Sequence, residues 1–153
     1  MKRLLIIHAG QNETGRAYAL AEAARRGACG VAGLELVFKP ALLAGVEDLL
    51  AADGILMITP EKFGYMAGAL KDFFDRTFYP AQGQVEGLPY ALIVVAGNDG
   101  RGAVTAVERI VRGYPFKPVD APLVVIGEPT ADQLAAAEAL GAGMAEGVAL
   151  GIF

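Results

Sequence analysis

Eight residues near the amino end carry the densest chemical signal: Gly10, Gln11, Asn12, Glu13, Thr14, Gly15, Arg16 and Ala17. The two glycines have the spacing of a phosphate-binding glycine loop. The run ends where a helix is expected to begin. Helix N-termini present unpaired N–H groups and a partial positive charge, so a phosphoryl group fits there. Gln11, Asn12 and Thr14 offer side-chain donors. The residue types argue against triphosphate transfer. Arg16 stands where such a loop needs lysine, and Ala17 where it needs a hydroxyl ligand for Mg²⁺. A monophosphate held without metal suits the loop better. The plain alternative is an ordinary strand–helix turn with Thr14 as its N-cap.

Two further stretches are rich in glycine and small polar residues. One is TPEKFGYMAG, residues 59–68, in which Phe63 and Tyr65 lie outside any regular apolar stripe and Gly64 separates them. Glycine there lets backbone approach a flat ligand. Glu61 and Lys62 are its polar candidates, or simply solvated loop charges. The alternative for the two rings is packing beneath the loop. The other stretch is AGNDGRG, residues 96–102, where Gly97, Gly100 and Gly102 leave backbone N–H groups unshielded. Asn98 and Asp99 are turn formers, so a tight turn is the simpler account.

Five apolar runs alternate with five helical patterns. Strands are expected at 3–8, 33–38, 54–59, 90–96 and 123–126, and helices at 14–28, 46–52, 67–79 and 103–112, with a fifth opening at Thr130. Thr59 is expected to end the third strand, and Pro60 to set its exit direction. Pro80 is expected to stop the third helix. Thr130-Ala131-Asp132-Gln133 has the form of a capping box. Near-continuous apolar strands alternating with helices predict a three-layer α/β/α sandwich around a five-stranded parallel sheet. The doubly wound order 2-1-3-4-5 suits it, with ligands outside the carboxyl ends of the strands. The three glycine-bearing loops would then meet at one sheet edge, and the remaining loops look short or plain.

Composition sets the outer limits. The chain has 153 residues, so a single domain spanning 1–153 is expected; 54% are hydrophobic and 20% charged, enough for a full core. The net charge is −4, and the only adjacent basic pairs are Lys2-Arg3 and Arg25-Arg26, so no nucleic-acid surface is expected. One cysteine, Cys29, rules out a disulfide framework within the chain. No cleavage signal or membrane span is evident, and a reduced, cytoplasmic setting is the expectation.

With these residues in view, the chain resembles the flavodoxin-like superfamily, most closely its NAD(P)H-dependent oxidoreductase and FMN reductase branch. The resemblance covers nearly the whole sequence. It rests on the Thr14-Gly15 turn, on ADGILMITPEKFGYMAGALKDFFDRTFYP (52–80) and on AGNDGRGAV (96–104). It implies FMN as cofactor and the flavodoxin-like strand order. The residues from Gly10 to Ala17 would surround the phosphate. Pro60, Glu61, Lys62, Phe63, Gly64 and Tyr65 would border the isoalloxazine, and Gly97, Asn98, Asp99, Gly100 and Gly102 its pyrimidine side. Relatives often carry Thr or Ser where Ala17 stands, which implies one phosphate hydrogen bond fewer here.

The implied activity is NAD(P)H-dependent reduction of a quinone, a flavin or a similar small acceptor, in a homodimer or homotetramer. Hydride transfer between stacked rings needs no protein nucleophile, because the cofactor carries the chemistry. No side chain is therefore assigned a catalytic role, and no metal is expected. His8, the only histidine, lies close to the phosphate loop and is expected to be structural, with sensing of the phosphate charge as the alternative. Cys29 has no basic partner evident in the sequence. Lys71 with Asp75 and Asp72 with Arg76 are spaced as i,i+4 surface pairs. The stripe of Phe73, Phe74 and Phe78 is expected in the core. No 2′-phosphate site is evident, so NADH and NADPH are not distinguished. A flavodoxin-type electron carrier is one alternative, though the chain is only mildly acidic and has no Trp. A cofactor-free interaction protein on the same fold is another. A signalling receiver domain is rejected, since His8-Ala9-Gly10 and Thr59 occupy the places of its acidic residues.

Overall fold

Alternate residues of each central strand face opposite sides, and both sides are apolar. A computed structural model describes all 153 residues, Met1–Phe153. Its strands are β1 Lys2–His8, β2 Leu34–Pro40, β3 Gly54–Lys62, β4 Tyr65–Met66, β5 Pro89–Ala96, β6 Lys117–Pro118 and β7 Leu123–Ile126. Its helices are α1 Arg16–Ala28, α2 Val46–Ala51, α3 Gly68–Ala81, α4 Arg101–Gly113 and α5 Ala131–Leu150. From β1, Leu5 and Ile7 enter one core with α2, α3 and α4, while Leu4 and Ile6 enter the other with α1 and α5. The same alternation holds for Ile55 and Met57 against Leu56 and Ile58 of β3. A strand with a period of two thus supplies both layers.

The long strands run parallel in the order β2-β1-β3-β5-β7, the expected doubly wound arrangement. Two short strands were not anticipated. β6 pairs with the start of β5 and β7 with its end, so the outer edge strand comes in two pieces. β4 folds back antiparallel on β3, with Glu61 opposite Met66 and Lys62 opposite Tyr65.

That hairpin corrects the expected end of β3 at Thr59. The strand continues through Pro60 because pairing with β1 stops at Ile58. Beyond that point one side of β3 has no neighbour, and a proline without an N–H is tolerated there. Pro80 is also corrected. It lies inside α3, which runs on to Ala81 before the Gln82 N–H closes on the Tyr79 carbonyl at 3.3 Å. A proline in the last turn removes a single bond, and its φ is compatible with helix.

The Thr130 capping box forms as expected, with Gln133 N–H donating to Thr130 Oγ1 at 3.2 Å and Thr130 N–H to Gln133 Oε1 at 2.9 Å. The surface pairs form too, Lys71–Asp75 and Arg76–Asp72 both at 2.7 Å. Arg76 does more than its spacing suggested. Its guanidinium also donates to the carbonyls of Ala44 at 2.8 Å and Ala41 at 3.0 Å, fixing α3 to the segment before α2. Phe73 and Phe74 are buried, and Phe78 packs against Tyr114 at 5.2 Å between ring centroids. No helix is long and apolar enough to cross a membrane.

Candidate functional site

The loops after β1, β3 and β5 meet at the carboxyl edge of the sheet, at the switch between β1 and β3. They enclose an open cleft of about 550 Å³. Gly10, Gln11, Asn12, Thr14, Gly15, Arg16 and Ala17 line one side, and Pro60, Glu61 and Lys62 the other. Val95, Ala96 and Gly97 form the base of the third side. Sequence reasoning missed Val95, Ala96 and Glu128, which also line it. Glu128 follows β7 in a stretch that looked plain. The rule that ligands sit at strand carboxyl ends, applied to the fifth long strand, would have found it.

The first loop is held by Asn12. Its Oδ1 accepts from Thr14 N–H at 3.1 Å and Thr14 Oγ1 at 2.8 Å, and its carbonyl accepts from Gly15 N–H at 3.2 Å. Thr14 is therefore not the helix cap. Gly15 is, and it offers no side-chain bond to the first turn. The N–H groups of Arg16 and Ala17 are left unpaired where they meet the cleft. Arg16 Nε donates to Glu128 Oε1 at 3.1 Å across the mouth. Glu13 is exposed and does not line the cleft.

The second loop is a two-residue hairpin turn. Phe63 has φ 52° and Gly64 φ 72°, the paired left-handed conformation of a type I′ turn. Glycine adopts it freely, whereas a bulky side chain is strained there. The Phe63 ring is fully exposed and Tyr65 is 41% exposed. Thr59, completely buried, braces the base of the hairpin. Its Oγ1 accepts from Ala67 N–H at 3.0 Å and donates to the Pro60 carbonyl at 2.9 Å. Glu61 Oε2 accepts from Ala103 N–H at 3.3 Å, tying the hairpin to the first turn of α4.

The third loop divides its residues. Gly97 faces open space, with no atom within 4 Å of a Cβ placed there. Asp99 Oδ1 accepts from Arg101 N–H at 3.0 Å, and Gly100 caps α4 in the left-handed region. Asn98, Asp99 and Gly100 do not line the cleft. Gly102 is pressed against the hairpin, where a Cβ would lie 1.9 Å from the Gly64 carbonyl oxygen. Gly64, Tyr65 and Gly102 instead line a second cavity of about 510 Å³ on the far side of the hairpin.

His8 is buried beneath the first loop, away from the cleft lining. Its ring lies tilted by 30° against Phe38 at 5.2 Å and meets Tyr18 edge-on at 5.3 Å. Nδ1 has no hydrogen-bond partner. Burial lowers its pKa below the usual imidazole value, against a weaker opposing pull from Glu22. Cys29 caps the opposite end of α1, exposed, with Arg25 Nη1 3.8 Å from its sulfur, a neighbour the sequence did not reveal.

The family model described as NADPH-dependent FMN reductase matches residues 2–131. A flavodoxin from Aquifex aeolicus (strain VF5) is 29% identical over 102 residues, 67% of this chain and 54% of that protein. The match thus spans about half the length of that curated relative. Among solved structures, a flavodoxin from the domain Archaea superposes with a TM-score of 0.82 at 20% identity, covering 95% of this chain and 98% of its own. An oxidoreductase from Corynebacterium diphtheriae superposes with a TM-score of 0.75 at 17% identity, covering 100% and 99%.

Proposed function

Because the chain belongs to the NADPH-dependent FMN reductase family, we propose that it is an FMN-binding oxidoreductase that takes hydride from NAD(P)H and passes electrons to a quinone, a flavin or a similar small acceptor. The observation that carries this reading is the convergence of three separate loops on one cleft at the β1/β3 switch point. The residues present fit the cofactor. The cleft volume of about 550 Å³ lies within the ~300–1,000 Å³ of small-molecule sites. The unpaired N–H groups at the start of α1 suit a phosphate, and the open backbone at Gly97 suits the edge of a flat ring.

When bound, FMN supplies the hydride-accepting ring. The chain's task is to hold and orient it. Asn12 keeps the phosphate loop in shape. Arg16 and Lys62 bring positive charge to an anionic ligand, while Glu128 occupies Arg16 and tempers that attraction. Thr59 and Glu61 fix the hairpin that forms one wall. The fully exposed Phe63 ring at the hairpin tip is available to shield the ring system or the acceptor from water, whereas Tyr65 faces the second cavity.

The likeness to flavodoxins favours a second reading, a one-electron carrier. The deciding experiment is an absorbance titration with FMN, followed by anaerobic addition of NADPH and then of a quinone. Uptake of FMN with repeated NADPH oxidation supports the reductase. Uptake without NADPH turnover supports the carrier. A chain that remains colourless at saturating FMN refutes both.

A further inference from the structure

Among the buried side-chain nitrogen and oxygen atoms, His8 Nδ1 alone has no hydrogen-bond partner. The residue is 6% exposed, and a polar atom unpaired at that depth calls for an explanation beyond packing. Its place in the fold supplies one. His8 ends β1, and the chain turns from it directly into the phosphate loop. Gly10 lines the cleft and also abuts the imidazole: a Cβ on it would lie 3.5 Å from Nδ1. Because residue 10 is glycine, it puts no side chain between the ring and the loop backbone.

The surrounding elements offer a charged imidazole little. His8 shares the layer of Leu4 and Ile6, facing α1. That helix contributes Tyr18, Glu22 and Arg25. Glu22 is already committed, accepting from Tyr18 Oη–H at 3.1 Å and from Arg25 Nη2 at 2.9 Å. Arg25 lies over the Phe38 ring of β2, 5.8 Å from its centroid. Lys39 of β2 pairs with Asp48 of α2, in the opposite layer, at 2.8 Å. β3 sets Ile58 opposite His8, and α5 brings only apolar side chains to this core. Glu13, in the loop, is exposed. An imidazolium here has no hydrogen-bonded carboxylate and feels only the weak pull of Glu22.

We propose that the FMN phosphate is the missing counter-ion and that His8 selects the phosphorylated flavin: the ring takes a proton from solvent as the phosphate enters the loop and returns it as the phosphate leaves. The proposal rests on the FMN-binding reading above and assigns a further residue to it. His8 is a positioning residue that acts through the Gly10 backbone. A phosphate monoester carries nearly two negative charges at neutral pH, and such charge close to a partly buried imidazole favours its protonated form. Burial keeps the ring neutral in the free chain, since it lowers the pKa there. Binding that raises a pKa strengthens as pH falls. The gain from His8 therefore grows as pH drops through the raised value of the complex and is complete below the lowered value of the free chain. Riboflavin, with the same ring system and no phosphate, gains nothing. The phosphate itself loses charge near about pH 6, so the share of His8 is read against a variant that cannot take a proton.

The test follows the single imidazole resonance by NMR across pH in the free chain, with saturating FMN and with saturating riboflavin. In the free chain and with riboflavin it should titrate below pH 6.5; with FMN it should titrate at a higher pH than in the free chain. Fluorescence titration then compares the parent with His8→Phe, which keeps an aromatic ring against Phe38 and Tyr18. The ratio of parent to variant affinity for FMN is expected to rise roughly tenfold between about pH 8 and about pH 5.5, and to stay flat for riboflavin. The NMR readout needs no variant, so it stands even where His8→Phe fails to fold. A resonance that titrates alike with and without FMN, or that riboflavin moves equally, overturns the proposal, as does a flat affinity ratio for FMN; FMN uptake in the same samples leaves the function proposed above in place. No uptake of FMN at saturation refutes both.

Discussion

Replacing Gly102 by alanine probes the hairpin that separates the two cavities. A Cβ there would lie 1.9 Å from the Gly64 oxygen, 2.5 Å from its carbonyl carbon and 2.9 Å from its Cα. These are backbone atoms, so no side-chain rotation relieves the overlap. Restoring a 3.4 Å contact requires the turn or the start of α4 to move by about 1.5 Å. Overpacking of this kind costs about 1–3 kcal/mol, and the better helix propensity of alanine offsets up to about 1 kcal/mol. With both terms at their upper values the expected net loss is about 2 kcal/mol, or roughly 4–8 °C in Tm for a chain of this size. The functional loss should be larger, because a misplacement of ~1 Å can lower rates by about 100-fold. Thermal unfolding gives the first quantity, and FMN binding with NADPH turnover gives the second. Gly143→Ala in α5, where no atom lies within 4 Å, is the control and should stabilise by about 0.8–1.0 kcal/mol. A Gly102→Ala protein that unfolds, binds FMN and turns over like the parent would refute the claim that this contact sets the hairpin.

Three further outcomes follow from the same geometry. Phe63→Asn relieves a left-handed residue whose ring is fully exposed, so unfolding free energy should rise by about 1 kcal/mol; no gain in a urea titration would mean that the ring has a packing partner in solution. Ala17→Ser should tighten FMN by about tenfold through one added bond to the phosphate, and fluorescence titration showing no change would place the phosphate elsewhere. His8, whose folded pKa lies below 6.5, favours the neutral ring. Its contribution to stability should be complete above pH 6.5 and decline as pH falls from there through the lowered folded value. The single imidazole resonance should accordingly titrate below pH 6.5, and an inflection at or above it would contradict the burial argument.

Periodicity made the layers legible. The unbroken apolar runs of β1, β3 and β5 required cover on both faces, which suits a doubly wound sheet, but the strand order itself is set by pairings that no local stretch of sequence displays. The cleft was legible to the extent that it is made of local sequence, namely the Gly10–Gly15 loop and Pro60-Glu61-Lys62. Long-range partners were not. Nothing in the sequence links Glu128 to Arg16, 112 positions away, or Gly102 to Gly64. The hairpin at Phe63-Gly64 was obscured because phenylalanine is a poor choice for a type I′ turn, and Pro60 looked like a strand end. Residues such as Gly102, read as ligand contacts because they lack a side chain, lack one for the sake of a neighbouring backbone.

The outer rim of the sheet is built from fragments rather than a continuous ribbon. Lys117-Pro118 and Leu123–Ile126 each grip β5 separately, with Val119, Asp120, Ala121 and Pro122 between them. A strand from another molecule seeking a template would find there only short ladders, interrupted by proline and guarded by charge. At the opposite rim, β2 ends in Lys39-Pro40. Such margins resist the end-to-end sheet growth that precedes fibril formation, and the gap at 119–122 is where extra chain could be spliced in with both flanking registers preserved.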